Sequence, residues 1–176
     1  LPGCAGIKIF MGSSTGSLLV SGEKEIEKAI KNCKRRVAIH SEDEDRLKKR
    51  FHLIDKKLGI HSHEKWRDMQ TALFSTEKVL KYANKYKTSV HILHISTKNE
   101  MELLKNKRKF VTVEVTPQHL TLNSPDCYEK LGSLSQMNPP IRSKMHQNGL
   151  WKGIKNDTVN VIGSDHAPHT LEEKKI

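Results

Sequence analysis

The chain has 176 residues, 35% hydrophobic and 29% charged, with a formal net charge of +11. That length can enclose a core but falls short of the ~250 residues of a complete eight-fold β/α barrel, and no apolar run approaches the roughly 18 residues that span a bilayer. The 31 Lys and Arg are scattered, Lys-rich and without interleaved aromatic residues, so they read as solvated helix faces and not as a nucleic-acid surface. Cys4, Cys33 and Cys127 are odd in number and form no Cys-x-x-Cys, which predicts reduced thiols in the cytoplasm. The opening Leu1-Pro2-Gly3 carries no leader pattern and reads as a start in mid-protein.

Gly6-Ile7-Lys8-Ile9-Phe10-Met11 is the first predicted strand, with Lys8 between two isoleucines. Buried and unpaired, that ammonium would be costly; on the open face of an edge strand it would not be. Gly12-Ser13-Ser14-Thr15-Gly16 lacks the Gly-Lys-Ser/Thr ending of a phosphate loop and reads as a tight turn. Ile26, Ala29, Ile30 and Cys33 then make one helical stripe. Arg36–His40 is the second strand, followed by a Ser41…Glu44 capping box. His61 and His63 fall in a polar stretch and read as surface residues.

Met69, Ala72, Leu73, Val79, Leu80 and Ala83 mark a longer helix. Ser89–His94 is the third strand, with a Thr97…Glu100 box opening a helix through Met101, Leu103 and Leu104. Phe110–Val115 and Val159–Gly163 are the fourth and fifth strands, and Thr170…Glu173 opens a last helix. Strands alternating with helices predict an α/β fold of parallel β/α units in one domain.

This register puts His40, His94 and Asp165 at or just beyond the carboxyl ends of strands, where β/α folds build active sites. One such histidine is ordinarily structural. Three imidazole or carboxylate groups at successive strand ends suit Zn²⁺ or a related divalent ion. His91, three residues before His94, alternates to the opposite face and reads as a packing or supporting residue.

Six segments, in order along the chain, resemble dihydroorotase, a cyclic amidohydrolase: Gly6–Gly16, Ala38–Glu44, His91–Thr97, Glu114–Leu120, Met137–Arg142 and Gly163–His169. The resemblance implies that residues 1–176 form part of a (β/α)8 TIM-like metallo-dependent hydrolase barrel, about five of its eight strands. It implies two Zn²⁺ ions bridged by Lys8 as its carbamate. His40 and His94 would bind one ion. Asp165 would bind the other and act as the catalytic proton carrier. Asn138 and His169 would hold the substrate. The implied reaction is the reversible conversion of dihydroorotate and water to N-carbamoyl-aspartate in pyrimidine biosynthesis. Its partner would be that small molecule, with neither nucleic acid nor membrane, and with association as a homodimer or with another enzyme of the pathway.

The family's His-x-His-x-Arg strand is absent; His61-Ser62-His63 is followed by Glu64 and Lys65. The first three strands are therefore expected before Leu1 and a closing segment after Ile176, and the segment alone is expected to be inactive. Two alternatives stand beside the main reading. One is a hydantoinase- or dihydropyrimidinase-like enzyme, against which the Asn-Pro-Pro and His-Ala-Pro-His segments speak. The other is a non-catalytic scaffold, favoured by the missing His-x-His and opposed by the joint presence of Lys8, His40, His94 and Asp165.

Overall fold

The computed structural model describes residues 2–13, 18–55 and 57–174. The turn read at Gly12–Gly16 lies partly outside these residues. Strands and helices alternate: β1 (Gly6–Phe10), α1 (Glu23–Asn32), β2 (Arg36–His40), α2 (Glu44–Arg50), α3 (His61–Trp66), α4 (Met69–Tyr86) and β3 (Val90–Ile92). There follow α5 (Lys98–Leu104), β4 (Val111–Val115), α6 (Pro117–Thr121), α7 (Asp126–Leu131), α8 (Lys144–Lys155), β5 (Val161–Ile162) and α9 (Leu171–Lys174).

The five strands pair in chain order, all parallel. Consecutive parallel strands joined by helices are one arc of an α/β barrel, with β1 and β5 as its outermost strands. Ile7, Val161 and Ile162 are exposed along those strands. The anticipated partial barrel is the observed one.

Period-2 alternation divides the sheet into two faces. Val37, Ile39, Val90, Ile92, Val111 and Val113 are buried against Ile26 and Ile30 of α1, Val79 and Ala83 of α4, Leu104 of α5 and Leu150 of α8. Each such aliphatic side chain contributes about 1.5–3 kcal/mol by leaving water. The opposite face carries Lys8, Ala38, His91 and Thr112 in register across four strands. Its polarity is what the β/α arrangement predicts for residues that look into a site.

Helix starts agree with the sequence at two boxes of three. Thr97 and Glu100 cap each other at α5, and Thr170 and Glu173 do so at α9. The Ser41…Glu44 box does not form. Asp43 caps α2 by accepting from the Arg46 amide at 2.9 Å. Glu44 instead accepts from the Ser13 amide at 2.7 Å, and Ser41 pairs with Thr76 at 3.1 Å. Long-range partners took both halves of the predicted box. The fifth strand is shorter than predicted because the Asn160 side chain accepts from the Val113 amide at 3.0 Å, replacing one rung of the ladder.

Candidate functional site

His40 ends β2 and His94 lies two residues beyond β3, at the carboxyl edge of the sheet. His94 has φ of 38°, a left-handed conformation that costs a non-glycine residue on the order of 1 kcal/mol or more and needs support from its surroundings. Glu114, from β4, supplies some of it by accepting from the His94 amide at 3.3 Å. The turn carries the His94 ring back over β2. His40 Nδ1 and His94 Nε2 end 2.9 Å apart, with the rings edge to face at 72°. Both residues are 2% exposed.

Their neighbours decide which atoms carry protons. Burial, followed by the charges of His40 and Lys8, holds the His94 pKa well below the usual imidazole value, so the ring is neutral. Glu42 is fully buried; burial pushes its carboxyl up, but Arg67, His40 and Arg142 outweigh that and hold it at about 2. A carboxylate only accepts, and Glu42 Oε2 stands 2.9 Å from His40 Nε2. His40 therefore donates from Nε2 and turns its Nδ1 to His94. His94 Nδ1 is buried with no hydrogen-bond partner among the described residues, a lack that costs about 1–3 kcal/mol.

Two dry imidazoles whose nitrogens face each other are a donor set suited to a borderline divalent ion. A 2.9 Å separation is one that two nitrogens on a common Zn²⁺, each at roughly 2.0–2.1 Å, can span.

The remaining expected residues fall into two places. Lys8 is exposed on the open face of edge strand β1, the cheaper of its two anticipated placements. Its ammonium sits 4.8 Å from the centre of the Phe10 ring, which in turn packs 5.9 Å from the His40 ring. What burial Lys8 has lowers its pKa, while Asp165 and Glu114 pull it back up. Asp165 has φ of 47° and is exposed. Together with Gln118, Met137, Asn138, His166 and His169 it lines a cleft of about 670 Å³.

The structure thus brings Asn138, Asp165 and His169 to one cleft and His40 and His94 to one contact. It does not join the two groups directly. Among the described residues, no three of His, Cys, Asp or Glu converge closely enough to enclose an ion.

No family model matches the chain. Individual sequences do. The dihydroorotase of Pyrococcus furiosus is 37% identical over 169 residues, covering 96% of this chain and 36% of that protein. The dihydroorotase of Methanosarcina mazei is 32% identical, covering 95% and 39% respectively. This chain is related to the dihydroorotases. It spans between 36% and 39% of the length of these two relatives. Solved structures agree on the fold at lower identity. The L-hydantoinase (dihydropyrimidinase) from Arthrobacter aurescens superposes with a TM-score of 0.87 at 21% identity, over 96% of this chain and 39% of that one. The dihydropyrimidinase from Brevibacillus agri gives 0.82 at 22%, over 95% and 38%.

Besides His91, read from the sequence as a packing or supporting residue, two histidines of this dihydroorotase-related chain support the site without having been assigned to it in sequence. His63, expected at the surface, is 7% exposed and donates from Nε2 to the Met137 carbonyl at 3.0 Å. His119 is buried and donates from Nε2 to the Pro139 carbonyl at 3.1 Å. The two imidazoles hold the carbonyls on either side of Asn138. Only His119 had a signal, its place in the Glu114–Leu120 segment; nothing around His63 announces that α3 turns it inward. His61, by contrast, is exposed as expected. His91 lies 2.8 Å from Thr112 Oγ1 and 3.2 Å from Glu114 Oε2, so it braces the carboxylate that in turn holds the His94 amide.

Proposed function

We propose that this chain carries part of the site of a metal-dependent cyclic amide hydrolase that interconverts dihydroorotate and N-carbamoyl-aspartate. The observation that carries the reading is the meeting of His40 Nδ1 and His94 Nε2 at the strand ends of a chain related to dihydroorotases. Residues 1–176 would supply five β/α units of an eight-unit barrel; the unit bearing His-x-His-x-Arg is not among them.

His40 and His94 would hold one Zn²⁺, Asp165 a second, and Lys8, as a carbamate on its Nζ, would join the two. A lysine with a lowered pKa has more of the free amine that such a modification needs. Bound divalent ions acidify water and polarise an amide carbonyl. Asp165 would take the proton of the attacking water at a carboxylate oxygen and return it to the ring nitrogen that leaves. Asn138 and His169, across the same cleft, would orient the substrate. Ring closure runs the same proton path in reverse.

Three free cysteines support a reducing, cytoplasmic setting. Among the described residues no helix is long and apolar enough to cross a membrane. The outer edges of β1 and β5 are where the remaining strands of such a barrel would pair. The test is turnover by the natural-length protein with Zn²⁺, comparing dihydroorotate with uncharged dihydrouracil. Preference for dihydroorotate is expected; preference for dihydrouracil would reassign the substrate, and no turnover of either would reject the activity.

A further inference from the structure

Glu42 is 0% exposed and has no assigned part in the chemistry above. Its Oε2 receives both the His40 Nε2–H and the Arg67 guanidinium. Arg67, 2% exposed, also donates to the Ser13 carbonyl beyond β1, while its own carbonyl accepts from Arg142. The backbone is shaped for this approach: a Cβ on Gly12 would stand 2.7 Å from the Glu42 Cβ. Arg67, itself held by the Ser13 carbonyl and by Arg142, thus meets His40 on one buried carboxylate.

Stability does not account for the arrangement. Desolvation of a buried ion pair offsets most of its Coulomb attraction, and an apolar pair of similar volume commonly does as well or better. This pair is also incompletely satisfied, since Glu42 Oε1 and Arg67 Nε have no partner among the described residues. An apolar pair could not, however, hold a hydrogen on one chosen nitrogen of His40. A free neutral imidazole exchanges between its two tautomers, and only one of them leaves the lone pair on Nδ1, the atom that faces His94. An acceptor fixed at Nε2 selects that tautomer, in the manner of carboxylates behind metal-bound histidines.

We propose that Glu42, held in place by Arg67, is a positioning residue that fixes His40 as its Nε2–H tautomer and points the Nδ1 lone pair at the ion site. The metal half of this statement rests on the reading under Proposed function; the tautomer half does not.

The experiment combines imidazole nitrogen NMR on the metal-free chain with Co²⁺ titration followed by absorbance. In the wild type, His40 is expected as a single Nε2–H tautomer. Glu42→Leu combined with Arg67→Met removes the ion pair without stranding a buried charge. It should leave a folded chain in which His40 populates both tautomers and Co²⁺ binds roughly 10–100-fold more weakly. Glu42→Gln keeps an acceptor oxygen and should restore the single tautomer, with affinity within a few-fold of wild type. An Nδ1–H tautomer in the wild type overturns the proposal without recourse to any variant. So does a double variant that keeps both the tautomer and the affinity. Failure of the wild type to bind Co²⁺ while its tautomer stays fixed would reject the metal reading and leave the positioning role of Glu42 standing.

Discussion

His40 and His94 are separated by 54 positions in sequence and by 2.9 Å in space. The contact exists because β2 and β3 are adjacent parallel strands and because His94 adopts a left-handed backbone that turns its ring across the gap. Both rings are buried, His94 is held neutral, and its outer nitrogen has no partner among the described residues. A pair of ordinary packing histidines would have found carbonyls, as His63 and His119 do.

Lys8 is the first residue on which the functional reading can be checked. In the natural-length protein, Lys8→Ala should abolish turnover, and short carboxylic acids with added Zn²⁺ should restore part of it by filling the place of a carbamate. Lys8→Arg should stay inactive, because a guanidinium remains cationic and cannot bridge two ions. Steady-state rates with and without added acetate make the check; normal turnover in either variant would leave Lys8 as an edge-strand lysine over Phe10.

Asp165 and His169 share a cleft but should fail differently. Asp165→Asn keeps an oxygen for the ion and loses the proton acceptor, so kcat should fall by about 10²–10⁴-fold. His169 is assigned to the substrate, an interaction equal in ground and transition states, so His169→Asn should mainly raise KM. Kinetics corrected for the folded fraction separate these outcomes from a shared loss of stability, which is the result expected if both residues only brace the approach to α9.

Acid should weaken the fold through His119. Burial, only partly opposed by its bond to the Pro139 carbonyl, lowers its pKa from 6.5 to about 4. Between these values the unfolded chain binds a proton that the folded chain does not, so stability falls as pH drops from 6.5 and levels off below about 4. The full effect is on the order of 3 kcal/mol. Urea unfolding at pH 7 and pH 4.5 should show the loss, and His119→Gln, which can still donate to Pro139, should remove much of the slope. Equal slopes in the two proteins would mean that other groups dominate.

The parts of the molecule that local pattern controls were legible in the sequence. Alternation of short β-branched runs with helical stripes is enough for five parallel units, since valine and isoleucine at period two declare the helix-facing side of each strand. The ends of those strands located His40, His94 and Asp165. What surrounds them was not legible. Ser41-Glu42-Asp43-Glu44 offers four polar residues in a row, and only the fold decides that Asp43 caps α2, that Glu44 reaches Ser13 and that Glu42 points inward to His40. Arg67 and His63 flank an ordinary polar helix end in sequence; their burial depends on contacts with Ser13 and Met137, which lie 54 and 74 positions away. Polar residues at long range follow geometry, and geometry has no short-range signature.

The most direct measurement is the affinity of the chain for Co²⁺ or Zn²⁺, made on the wild type, on His40→Ala and His94→Ala, and on His52→Ala at the surface. A binding site formed by the converging nitrogens predicts that the wild type binds, that either site variant weakens binding at least about tenfold, and that His52→Ala changes nothing. A wild type that binds no ion, or site variants that bind as well as the wild type, would contradict it.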